Sequence, residues 1–295
     1  MGHFKEDGKF NENSYLIDAE FMKLKGTLSI YVIENDGMRM LIDTGETLAA
    51  RRVVKKLKAM NLFPIHKILF THAHWDHVQA LPRILKQMEG EDVEVLAHEN
   101  AIDILKNPEE LNEFFEYIVE PIENVTPLKA NDIIDINGFE LEILELFGHT
   151  QDSIGIYDKI HKNIFVGDAI IDHLDMDTYT PVLYGPHLDE KLLLKTYEKL
   201  NEMKTDLNSI SLAHFGVYSG VDFINLVESV KEKYFKAKDS IIKWYLENSD
   251  VDYVTEKYQE NIIPNSKLFP KENLGGIHWF MDQHIKTLKA IGFIK

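Results

Sequence analysis

Between Thr71 and His77 the chain reads Thr-His-Ala-His-Trp-Asp-His, so three imidazoles and one carboxylate fall within the six residues 72–77. Protonated imidazoles this close repel one another, and burying such groups unpaired is costly. A bound cation removes both problems, and the cluster reads as a metal site. Neutral imidazole nitrogens and carboxylate oxygens suit zinc, iron or manganese. The chain has no cysteine, which excludes thiolate sites, disulfides and a cysteine nucleophile, and leaves zinc the favoured ion. Three more residues of the same chemistry follow apolar runs: His149 in Gly-His-Thr, Asp168 in Gly-Asp-Ala, and His214 in Ala213-His214-Phe215-Gly216. Strand ends are rigid supports, which a metal site needs to hold its ligand geometry.

The elements that would deliver these residues can be read from the hydrophobic pattern. Leu28–Ile33 and Met38–Ile42 flank Asn35-Asp36-Gly37, a hairpin turn signal, and the second strand runs into Asp43-Thr44-Gly45. Residues 47–61 have helical periodicity. A buried strand, Ile65–Phe70, carries the histidine cluster, and a helix is expected from Asp76 to Met88, stopped by Gly90. A strand over 93–97 and a helical stretch over 100–118, broken near Pro108, complete a first half of strand-helix alternation. The second half is richer in strands: 133–136, 139–147, 153–157, 163–166 and 210–213, with an amphipathic helix over 189–203. From Val221 the pattern is helical, with long periodic stretches at 221–248 and 277–291. The division expected is residues 1–216 as the catalytic domain and 217–295 as a helical extension near the active-site edge.

Composition narrows the setting. With 295 residues, 44% of them hydrophobic, the chain suits one large domain or one with an appendage. No apolar run is long enough to span a membrane, and the polar N-terminus lacks the apolar centre of a secretory signal. Together with the missing cysteines this points to the cytoplasm. A net charge of −17, from 49 acidic and 32 basic residues, works against nucleic-acid or anionic-membrane partners. A small-molecule substrate is the expected partner. Aromatic residues on the C-terminal helices, Phe223, Phe235, Trp244, Tyr245, Trp279 and Phe280 among them, read as core or as a homo-oligomer contact.

In combination, Asp43-Thr44-Gly45, Thr71-His72-x-His74-x-Asp76-His77, Gly148-His149-Thr150, Gly167-Asp168-Ala169 and Ala213-His214-Phe215-Gly216 resemble the metallo-β-lactamase-fold hydrolases, over about residues 25–216. The resemblance implies an α/β (α+β) fold, a four-layer αββα sandwich with a two-metal centre along one edge. It implies that His72, His74 and His149 hold one metal, that Asp76, His77 and His214 hold the other, and that Asp168 bridges them. Asp43 would anchor the ligand loop by hydrogen bonding without touching metal. The reaction implied is hydrolysis by water activated between the two cations, with Asp76 orienting that water or accepting its proton.

Departures from individual branches shape the substrate expectation. The common zinc β-lactamases place a cysteine at the second metal; the flavin-linked diiron proteins place Glu where His74 stands. Quorum-quenching lactonases have Tyr three residues after the bridging Asp, and here that residue is Ile171. Glyoxalase II-type thioesterases share the cluster and a helical extension, yet their glutathione-binding basic residues are not recognisable here. The expectation is a binuclear hydrolase of a small ester, thioester or lactone. The alternatives are a phosphodiesterase on the same site, an iron-dependent oxygenase, or a metal-binding effector protein with little catalysis. The loop 172–188 would overhang the metals, and His173, Tyr179 and Tyr184 are its candidates for touching substrate.

Overall fold

The computed structural model describes residues 2–175, 177–214 and 216–295; Met1, Met176 of the 172–188 loop and Phe215 of the last motif lie outside the described residues. In chain order the strands are β1 (His3–Phe4), β2 (Gly8–Lys9), β3 (Ser14–Asp18), β4 (Ser29–Asn35), β5 (Met38–Ile42), β6 (Lys67–Leu69), β7 (Glu94–His98) and β8 (Val125–Leu128), then β9 (Ile133–Ile136), β10 (Phe139–Glu145), β11 (Ile154–Asp158), β12 (Asn163–Phe165), β13 (His173–Asp175), β14 (Thr178–Tyr179), β15 (Ser209–Leu212) and β16 (Gly216–Ser219). The helices are α1 (Ala50–Ala59), α2 (Trp75–Val78), α3 (Leu81–Lys86), α4 (Ala101–Lys106), α5 (Glu109–Phe115), α6 (Glu190–Met203), α7 (Val221–Ile224), α8 (Leu226–Glu247), α9 (Val251–Asn261) and α10 (Gly275–Ala290).

Two seven-stranded sheets form the centre, ordered β2-β3-β4-β5-β6-β7-β8 and β1-β16-β15-β12-β11-β10-β9. Both are mixed. In the first, β5 to β8 are parallel neighbours, and in the second β12 pairs parallel with β15. Alternation along the strands explains why they are apolar on both faces. Tyr31 and Ile33 of β4 pack with Leu141, Ile143 and Phe165 of the other sheet, while Ile30 and Val32 join Val53, Leu57 and Ile84 from α1 and α3. The layers are those of the expected αββα sandwich.

Several elements depart from the sequence reading for identifiable reasons. The helix expected over 76–88 is two short helices, α2 and α3. Pro82 has no N–H to continue an α-helical ladder and sits in the first turn of α3. β8 was not anticipated because it contains Pro127; it lies at the sheet edge, where a missing donor costs no ladder bond. A separate helix α9, capped by the Asp250 carboxylate accepting from Asp252 N at 3.0 Å, fills part of the C-terminal stretch. β16 begins at Gly216 and carries the second sheet through Ser219, pairing with β15 and β1. The C-terminal helices pack on the rest of the chain: Ile241, Tyr258 and Met281 belong to the same buried cluster as Ile30, Phe70 and Leu212. No helix among the described residues is long and apolar enough to cross a membrane.

Candidate metal centre

The site lies where β5, β6, β10, β12 and β15 end. Asp43, held at φ 63° just past β5, is its anchor. One carboxylate oxygen accepts from Thr71 N and the other from Thr71 Oγ1, both at 2.8 Å; the second also faces His77 Nδ1 at 2.8 Å. Thr44 adds two bonds from its N and Oγ1 to the His77 carbonyl, at 2.7 and 2.8 Å. The Asp-Thr pair therefore fixes both ends of the 71–77 segment. Asp152 fixes the middle, accepting from Ala73 N at 2.8 Å while 1% exposed. Sequence reasoning passed over Asp152, because Thr-Gln-Asp-Ser resembles an ordinary turn.

All seven residues proposed as ligands are gathered in two sets. His72, His74 and His149 place one nitrogen each within 4.8 Å of one another, and Asp76, His77, Asp168 and His214 do the same with their donor atoms. Asp168 faces both sets. Its Oδ1 is 3.4 Å from His77 Nε2, and its Oδ2 is 3.5 Å from His214 Nε2 and 3.8 Å from His149 Nε2. Asp76 Oδ2 stands 3.5 Å from His214 Nε2 and 3.7 Å from His77 Nε2. His214 is oriented from behind by the Thr27 carbonyl, 2.7 Å from Nδ1.

The electrostatics divide the two sets. Burial, reinforced by neighbouring imidazoles, pushes His72 and His74 well below the usual histidine range, and burial brings His149 down to about 4. These three are neutral donors. Burial works against charge on His77 and His214 too, but Asp168 and Asp76 outweigh it, holding His77 well above its ordinary value and His214 at about 10. Asp168 is buried, yet the His214 and His77 imidazoles keep it well below the usual carboxylate range. The second set thus calls for positive charge among its carboxylates. Buried and without a hydrogen-bond partner are His72 Nε2, His77 Nε2 and Asp168 Oδ1 at the site, while His74 Nδ1 and His149 Nε2 face each other at 3.0 Å. Buried polar atoms rarely stay unsatisfied. Donors of this type, converging in two sets, fit two divalent cations.

A cleft opens onto the donors. It is a narrow cleft of about 430 Å³, its open mouth included. Tyr184 lines it, its hydroxyl bonded to Thr180 Oγ1 and its ring 4.7 Å from that of His284. Of the three substrate candidates it alone is among the lining residues. His173 turns away to pair with Asp172 at 2.8 Å and lines a separate pocket with Tyr218 and Asp222. Tyr179 is buried, with its backbone carbonyl accepting from Tyr258 Oη. The hairpin of β13 and β14 swings both away from the donors, a bend that proximity to Asp168 in sequence does not reveal. Trp75 lines the cleft, as do Trp279 and Phe280 of α10, whose helical spacing suggested only packing.

The chain is similar to several known proteins. The chain is 22% identical over 177 residues to an acyl-coenzyme A thioesterase of Gallus gallus, covering 54% of this chain and 63% of that protein. It is 29% identical over 134 residues to a hydroxyacylglutathione hydrolase of Haemophilus influenzae, covering 44% and 60%. The chain thus spans about 60% of the length of these curated relatives. In fold it is similar to a metallo-beta-lactamase family protein of Thermus thermophilus, with a TM-score of 0.67 at 18% identity, covering 95% of this chain and 93% of that one. Residues 26–214, which hold every residue of both donor sets, match the family profile described as the metallo-beta-lactamase superfamily, and the chain belongs to that superfamily.

Proposed function

We propose that the protein is a binuclear-metal hydrolase of a small carboxylic ester, thioester or lactone. One observation carries this reading: two buried donor sets meet at Asp168, with His72 Nε2 and His77 Nε2 left without a hydrogen-bond partner, at the floor of a cleft. His72, His74 and His149 would hold one cation, and Asp76, His77 and His214 the other, with Asp168 between them. Zinc suits this nitrogen-rich, thiolate-free set, and iron or manganese are the competing ions. When bound, such cations polarise the carbonyl oxygen and lower the pKa of water at the site.

The remaining work belongs to the chain's own residues. Asp43 accepts the His77 Nδ1 proton, which fixes the tautomer and leaves Nε2 facing inward; the Thr27 carbonyl does the same for His214. Asp76 lines the cleft and presents a carboxylate oxygen that can take up the proton of the attacking water. The narrow cleft favours a small-molecule substrate over a polymer. The acyl-coenzyme A thioesterase among the relatives supports a thioester carbonyl as the group attacked.

The test is metal analysis of protein purified without added metal, followed by hydrolysis assays on esters, thioesters, lactones and phosphodiesters after zinc, iron or manganese loading. Two metal equivalents and ester or thioester turnover, both lost in His72→Ala and His149→Ala, are expected. Iron with oxygen consumption and no hydrolysis would overturn the proposal, and so would phosphodiesters as the preferred substrates.

A further inference from the structure

Apart from the donors, Thr180 and Tyr184, the cleft wall is apolar and mostly aromatic. Phe21, Trp75, Phe115, Trp279 and Phe280 line it, and among the described residues its lining includes no lysine or arginine. The aromatic wall starts at the donors themselves. Phe115 sets its ring against His74 at 4.9 Å and 71°, and Phe21 against His214 at 5.7 Å and 78°. Trp75 is braced by a parallel stack on Tyr117 at 3.7 Å, and Trp279 meets Trp75 edge-on at 6.5 Å and Tyr117 at 6.1 Å. Phe280, the next residue of α10, packs edge-on against Phe269 at 5.6 Å. A carbonyl held at the donors would therefore extend its acyl chain between aromatic faces. An anionic group on that chain would be desolvated with no cation to meet it.

We propose that this cleft takes the acyl portion of the substrate, that this portion is an aliphatic or aryl group without negative charge, and that Trp279 and Phe280 set the length it accepts. The inference rests on the hydrolase reading and adds the substrate class to it. The thiol or alcohol leaving group lies outside this wall, so its charge is not constrained by it. The C-terminal helices then act as the specificity element of a site whose donors all come from the preceding residues.

The experiment uses the zinc-loaded full chain and acyl thioesters of N-acetylcysteamine, an uncharged thiol. From acetyl to hexanoyl, kcat/KM is expected to rise about fourfold per added methylene, the gain from burying one CH2 group. A hexanoyl analogue ending in a carboxylate is expected to fall below butyryl. Trp279→Ala and Phe280→Ala should move the optimum to longer chains, with metal content and far-UV circular dichroism unchanged. A second measurement is independent of turnover: quenching of tryptophan fluorescence by 1-hexanol and 1-propanol, with hexanol expected to bind about 60-fold more tightly by the same increment. Preference for an anionic acyl group, or no methylene increment in either measurement, would overturn the inference while leaving hydrolysis intact. Absence of all ester and thioester turnover with the hexanol increment preserved would instead count against the hydrolase reading and uphold the apolar cleft.

Discussion

Asp43→Asn isolates the anchor of the site with little disturbance of its backbone. Residue 43 sits at φ 63°, a left-handed conformation that asparagine adopts more readily than most residues, and it is 3% exposed. The amide oxygen can still accept from Thr71 N. The amide NH2 then takes the place of the oxygen that faces both Thr71 Oγ1 and His77 Nδ1 at 2.8 Å. The threonine hydroxyl can rotate to accept, whereas the imidazole cannot donate to an NH2. His77 must either lose that partner or move its proton to Nε2, the nitrogen aimed at the Asp76–Asp168 set. Loss of a hydrogen bond to a charged group costs about 1.5–3 kcal/mol. Loss of a partner that orients a histidine ligand typically weakens metal binding by about 10–100-fold, equivalent to about 1.4–2.8 kcal/mol. Both routes give the same scale. Competition of zinc-loaded protein against a chromophoric chelator should therefore show one zinc weakened by about that factor and the other nearly unchanged. A urea titration of the metal-free variant should show a stability loss of about 1.5–3 kcal/mol. If both zinc affinities stay within about twofold of the parent, below that range, and the urea midpoint does not move, Asp43 is a turn former and the reasoning is wrong.

Three further perturbations test the scaffold. A Cβ at Gly167 would lie 2.7 Å from both Cβ and Oγ1 of Thr71 at a φ of +52°, so Gly167→Ala should cost about 1–3 kcal/mol in thermal melts, and more in metal content than in helicity. Asp152→Ala frees Ala73 N from its only side-chain acceptor; a loss of about 1–3 kcal/mol and weaker metal retention under chelator are expected, and unchanged retention would reduce Asp152 to a packing role. Asp172 tests pH dependence away from the donors. Burial alone would raise its pKa, but His173 and Lys233 hold it at about 2, below the unfolded value of 3.8. Its contribution, about 2 kcal/mol, is therefore fully present above pH 4 and lost as pH falls toward 2. In metal-free protein the stability gap between the parent and Asp172→Asn should close over that window; a gap independent of pH would refute the assignment.

The residues of the metal centre were legible in the sequence because their chemistry is costly wherever it is buried without compensation. His72, His74, Asp76 and His77 cluster within one segment, and His149, Asp168 and His214 each follow an apolar strand, so sequence position already implied one sheet edge. Residues that act through geometry alone were not legible. Asp152 matters because its carboxylate meets Ala73 N across 79 positions of chain, a relation that no local pattern encodes. His173 and Tyr179 looked close to the centre because they follow Asp168 within 11 residues, but chain distance sets only an upper bound on separation, and the β13–β14 hairpin turns them elsewhere. The cleft wall is the most instructive case. Periodicity places Trp279 and Phe280 on the inward side of a helix, and that is all periodicity can do, since a core and a cleft ask for the same apolar side chains. What separates them is whether the opposing surface closes. Phe269 closes part of it, against Phe280 at 5.6 Å, while beside His74, Asp76, Asp168 and His214 the wall leaves a gap. The substrate's apolar part is expected in that gap, between the aromatic wall and the donors.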